Sequence, residues 1–273
     1  MPKLAVLIIH GMGKQEKGYS VPMQDLIKGF IRKSGKNPDD IVWQEVLWEP
    51  VLERRKDDYA AAIQPANQSI WWGIKDFVVT ALGDAAGYHG SDPAEKDSTY
   101  RKVHQVIADN MKAFGKIKCP LVTMAHSLGG DMLSEYIWDV QGKRNNYGQA
   151  KGLTPFQRFS THAGMITFGC NIPLFIFADD PVVPIDFPGK DIPQDYPELI
   201  NNGQCQWNNY YDKNDVLGYP LKPINAAYDK VVANDIVMNV GGIIVGATPL
   251  SHLAYWTDSG FTKAAAKYLN GFL

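Results

Sequence analysis

Net charge is the first thing this chain lacks: 27 Lys and Arg stand against 29 Asp and Glu, leaving a formal −2 at pH 7. Without a basic field there is nothing to hold a phosphate backbone, so a nucleic-acid partner is excluded. Cysteine is scarce as well. Cys119, Cys170 and Cys205 are odd in number and have no metal-ligand spacing, which points to buried free thiols, with a Cys170–Cys205 bridge left open. No cluster of His and Cys has ligand spacing either, so neither a metal nor a cofactor is expected. Long apolar runs are missing too. The first, Leu4 to Ile9, ends after six residues at His10, too short for a signal-peptide core or a membrane span. A cytoplasmic protein with no transmembrane segment is the expectation.

What is present suits a large core. The chain has 273 residues, 45% of them hydrophobic, enough for one domain over 1–273. Leu4 to Ile9 is uniformly apolar, as a central parallel strand covered on both faces must be. Pro22 to Ser34 reads as a helix burying Met23, Leu26, Ile27, Phe30 and Ile31. A turn at Asn37 to Asp40 leads to a second strand, Ile41 to Leu47, and this order is that of a βαβ unit. Glycine after the first strand, in His10-Gly11-Met12-Gly13, raises the question of a phosphate loop. Such a loop ending at Gly13-Lys14 needs glycine where Ile8 stands and Ser or Thr where Gln15 stands, so that reading fails.

The most informative stretch runs from Leu121 to Asp131. Leu121 to Ala125 is a short β-branched apolar run after Pro120, and Met132, Leu133, Tyr136 and Ile137 mark one stripe of a following helix, with Asp131 in its first turn. Between strand and helix lies Ala125-His126-Ser127-Leu128-Gly129, in which small residues two places either side of Ser127 let strand and helix close on each other. A strand, a sharp turn at serine and a helix form a nucleophile elbow.

On these residues the sequence resembles the α/β-hydrolase superfamily, and the Ala-His-Ser-x-Gly-Gly form resembles bacterial lipase-like serine esterases, although Ala125 stands where glycine is commoner. The resemblance implies an α/β fold with a mostly parallel central sheet flanked by helices. It further implies an oxyanion hole made by the backbone N–H groups of Met12, in the His-Gly turn, and Leu128, with His10 packing that turn. Carboxylates closing the strand Gln204 to Tyr211 would lie on the ligand-binding edge of the sheet, so Asp212 and Asp215 compete as the acid. The run Asp215-Val216-Leu217-Gly218 resembles the corresponding segment of serine esterases and favours Asp215. A last strand, Val231 to Val240, precedes His252, expected in a loop before a terminal helix from Thr262 to Leu273. The order Ser127, Asp215, His252 is that of the superfamily. Of the other histidines, His10 belongs to the oxyanion turn and His126 to the elbow, His89 and His104 precede the serine, and His162 lies before the acid strand.

Two stretches stand apart from this alternation. About 49–97 reads as an insertion before the nucleophile strand, a candidate lid. Within it Ser69 to Val79 carries Trp71 and Trp72 and is apolar on more than one stripe, either as the wall of an acyl pocket, with both tryptophans binding substrate, or as an ordinary core helix. The six prolines between Asn171 and Ile200 point to an extended loop on the pocket rim. The expected partner is thus a small-molecule ester, lipid-like given the apolar flanks, cleaved through an acyl-enzyme. A catalytically silent binding module, or a thioester or amide hydrolase with the same triad, stays open, and oligomeric state is not readable.

Overall fold

The computed structural model describes residues 1–13, 15–51, 82–144, 152–178, 181–242 and 251–273. Trp71, Trp72 and most of the insertion expected over about 49–97 lie outside the described residues. The strands are β1 (Leu4–Ile9), β2 (Ile41–Val46), β3 (Leu121–His126), β4 (His162–Phe168), β5 (Gln206–Asp212) and β6 (Val232–Met238). They form one sheet in the order β2-β1-β3-β4-β5-β6, and every neighbouring pair is parallel. The expected α/β fold with a parallel central sheet is what the chain adopts.

Alternation along the strands explains why helices cover both faces. On one face Ala5, Leu7 and Ile9 join Leu121, Ala125 and Met165, beneath α2 (Thr99–Ala113) with Val103, Ile107 and Met111 and α3 (Leu128–Val140) with Met132, Leu133 and Ile137. On the other, Leu4, Val6 and Ile8 join Val122, Met124 and Ile166, beneath α1 (Val21–Lys33) with Met23, Ile27 and Ile31 and the terminal helix with Phe261, Ala265 and Leu269. A strand buried on both sides has to be apolar at every position, which is the pattern of β1. Among the described residues no helix is long and apolar enough to cross a membrane.

Several expectations need correction. The proline-rich stretch is not loop throughout: Ile172–Phe175, Ile192–Asp195 and Pro197–Asn201 are helical turns with proline at their first or second position, where its missing N–H would have had no partner in any case. Leu26 is exposed on α1, while Gln24 is buried with its amide donating to the Ser20 hydroxyl. His252 sits in a helical turn, Ser251–Ala254, instead of a loop. The terminal helix starts at Ser259, earlier than Thr262, since the Asp258 side chain caps it by accepting from Phe261 N–H at 2.8 Å. Cys119, Cys170 and Cys205 are all free, and burial pushes the Cys170 thiol up to about 12.

Candidate active site

Strand order changes direction between β1 and β3, so their C-terminal ends border the crevice in which parallel sheets bind ligands. Register pairs Ile9 with Ala125, which sets the turn after β1 beside the turn after β3. Ser127 occupies that second turn with φ 52° and ψ −131°, a conformation that L-residues adopt only under strain. Three contacts hold it there. Ser127 N–H donates to Phe168 O on β4 at 3.1 Å, and Gly130 N–H returns to Ser127 O at 2.9 Å. The third is steric: a Cβ on Gly129 would fall 2.3 Å from His10 O, and one on Gly11 2.4 Å from Ser127 Cβ. Gly129 of the motif, and Gly11 in the turn opposite, are therefore demanded by close approach.

Ser127 Oγ lies 2.7 Å from His252 Nε2, and His252 Nδ1 lies 2.8 and 3.0 Å from the two carboxylate oxygens of Asp215. All three residues are buried. The tautomer that satisfies both contacts carries its proton on Nδ1, donated to Asp215, and leaves Nε2 free to accept from the serine hydroxyl. Asp215 also accepts from Leu217 N–H at 2.9 Å and from the Tyr255 hydroxyl at 3.1 Å. Asp212, the competing acid, faces elsewhere. Its carboxylate accepts from Asn214 N–H and Val240 N–H, both at 2.8 Å, and so ties the end of β5 to the segment after β6.

The turn after β1 is braced from several directions. His10 stacks on Trp48 with ring centroids 4.9 Å apart, and Trp48 Nε1–H donates to His10 O at 2.9 Å. Gly13 N–H donates to the buried Asp84 carboxylate at 2.9 Å. Among the described residues, neither the N–H of Met12 nor that of Leu128 meets an acceptor. Leu128 opens α3, whose N-terminal dipole adds positive potential at Ser127.

Asp84, His126 and Tyr255 escaped the sequence reading as parts of this site. Each acts on a partner distant in the chain, and no local pattern marks it; only the position of His126 beside the serine was a signal. His126 donates from Nε2 to His252 O at 2.8 Å, and burial, then the neighbouring His252, hold its pKa well below the usual histidine value. Among the described residues no group of His, Cys, Asp and Glu could hold a metal ion. A cavity of about 640 Å³ is lined by Lys118, Cys119 and Thr161, at the N-terminal ends of β3 and β4 and hence across the sheet from Ser127.

No family model and no curated protein sequence matches the chain. Among solved structures, one described under two metagenome-derived lipolytic enzymes, LipS and LipT, is similar at 12% identity and a TM-score of 0.37, covering 88% of this chain and 84% of that one. The esterase domain of a Rhodothermus marinus protein is similar at 9% identity and a TM-score of 0.36, covering 98% of this chain and 84% of that one. Both likenesses are too loose to bear on activity, and the fold stands on strand order and register. The chain is an α/β protein with one all-parallel sheet, and a strand, a tight turn and a helix surround Ser127.

Proposed function

We propose that the protein is a serine hydrolase acting on carboxylic esters, with Ser127 as nucleophile, His252 as general base and Asp215 as the acid that orients it. The observation that carries the reading is the continuous chain from Ser127 Oγ through His252 to Asp215, with contacts of 2.7 and 2.8 Å. In this reaction His252 Nε2 takes the serine proton as Oγ attacks the ester carbonyl, and Asp215 stabilises the resulting imidazolium. The carbonyl oxygen, now an oxyanion, is received by the N–H groups of Met12 and Leu128. Collapse expels the alcohol, which takes the proton from His252, and leaves an acyl-serine. Water, activated by the same histidine, then releases the acid and restores Ser127. Trp71 and Trp72 are assigned to the acyl pocket on their sequence pattern alone.

Labelling with a fluorophosphonate, followed by turnover of nitrophenyl esters of increasing acyl length, tests the proposal. Wild-type protein should be labelled at Ser127 and hydrolyse at least the short esters. Ser127→Ala should lose labelling together with about 10⁴-fold or more of turnover. Unlabelled wild-type protein would mean that the fold serves binding instead.

A further inference from the structure

The hydroxyl of Tyr255 lies between the two carboxyl-bearing residues that closed β5 in competition. It is 2.8 Å from the backbone nitrogen of Asp212 and 3.1 Å from Asp215 Oδ2, and the residue is fully buried. An N–H can only donate, so the phenolic oxygen is the acceptor toward Asp212, and its own hydrogen is left for Asp215. The direction of the second bond is thus fixed by the first. Burial, then the Asp215 charge, pushes the phenol pKa far up, which keeps that hydrogen in place at every working pH.

We propose that Tyr255 is a positioning residue that sets the basicity of His252 by drawing negative charge from the far side of Asp215. The proposal rests on the serine-hydrolase reading. Asp215 Oδ1 serves His252 and Leu217 N–H, while Oδ2 faces both His252 and Tyr255. A donor on Oδ2 spreads the carboxylate charge that would otherwise stabilise an imidazolium at His252. Removing that donor makes Asp215 a stronger partner and His252 a stronger base, whereas strengthening it does the opposite.

Other groups around the pair leave this role to Tyr255. His126, from β3, faces His252 with ring centroids 4.7 Å apart and stays neutral, and behind it lies His10 from the turn after β1. Asp212, from the end of β5, is held by Asn214 N–H and Val240 N–H. On the other side Ser127 Oγ is the reacting group. Glycines at 169 and 218 complete the enclosure, since a Cβ at either would come within 3.0 and 2.4 Å of Asp215 Oδ2.

The test is the pH profile of kcat/KM on a soluble short-chain nitrophenyl ester for three forms of the protein: wild type, Tyr255→Phe, and Tyr255 replaced by 3-fluorotyrosine. The acid limb reports the apparent pKa of the His252 and Asp215 pair. In Tyr255→Phe it should move to higher pH by about half a unit, with kcat reduced and KM little changed. Fluorotyrosine keeps the shape and is a stronger donor, so its limb should move to lower pH, which protects the test should the phenylalanine variant fold poorly. Limbs that coincide with wild type in both variants would overturn the proposal, whatever the change in melting temperature. Fluorophosphonate labelling of the wild type separates the two levels: its absence removes the hydrolase reading itself, while labelled protein with unmoved limbs removes only the role of Tyr255.

Discussion

His126 donates from Nε2 to the carbonyl oxygen of His252 at 2.8 Å, so the residue immediately before the serine anchors the backbone of the imidazole that faces it. The two rings lie 4.7 Å apart, and a charge on His126 would oppose an imidazolium at His252 in the proposed reaction. Its suppressed protonation is therefore what the proposed reaction requires of it.

His126→Phe keeps a ring in the space but removes the His126 donor to the His252 carbonyl, a cost of about 1 kcal/mol in stability. With the base loosened, kcat should fall by about 10- to 100-fold. His126→Gln supplies an amide donor and should recover part of that loss. The assignment fails if the two variants are equally active, because packing alone would then account for the residue.

Much of the candidate site's geometry was legible in the sequence, for reasons that differ by residue. Ser127 could be read because close packing between strand and helix leaves a local signature, small residues on either side. The meeting of Asp215 and His252 with Ser127 was expected from chain order and resemblance. By contrast, Tyr255, His126 and Asp84 bond across 40, 126 and 71 positions, and only the folded sheet brings those pairs together. β1 was clear because two-sided burial demands an unbroken apolar run. β6 was less clear at its ends, since as an edge strand it exposes Ala233 and Asn234. Proline misled where it sits in the first turn of a short helix, since there it is tolerated.

Strain at Ser127 offers a second test. Its φ of 52° suits glycine, which has no Cβ to clash, whereas alanine keeps the clash. Both Ser127→Ala and Ser127→Gly should be inactive toward esters. Elsewhere glycine stabilises a fold less than alanine by up to about 1 kcal/mol through backbone entropy, but here Ser127→Gly should match or exceed Ser127→Ala in thermal stability. A glycine variant melting well below the alanine variant would show that the turn is not strained.

The two aspartates after β5 divide their roles between chemistry and architecture. Asp215→Asn presents an amide to His252 Nδ1 and favours the wrong tautomer, so turnover should fall by roughly 10⁴-fold with the fold intact. Asp212→Asn replaces one of two acceptors, toward Asn214 or Val240, and should lower the melting temperature while leaving most turnover. Paired kcat and melting measurements on both variants check this, and the opposite pattern would exchange their roles.

Acid should destabilise this protein through its buried histidines, and His162 is the cleanest to isolate because it lies away from the site. Its Nε2 is 2.9 Å from Thr123 Oγ1 on the neighbouring strand, and burial lowers its pKa to about 3. In the unfolded chain the ring takes a proton near pH 6.5. Between those two values the unfolded state binds a proton that the folded state refuses, so stability present above pH 6.5 is lost progressively as pH falls toward 3. From this residue alone, unfolding at pH 5 should be favoured by about 2 kcal/mol relative to pH 7.5. His162→Leu removes the titration, at some cost in stability at neutral pH from an unpaired Thr123 hydroxyl. Urea midpoints at the two pH values, converted with a common slope, should show the variant losing about 2 kcal/mol less than wild type on acidification. Equal losses in both proteins would mean that His162 protonates in the folded state, and the burial argument for it would be wrong.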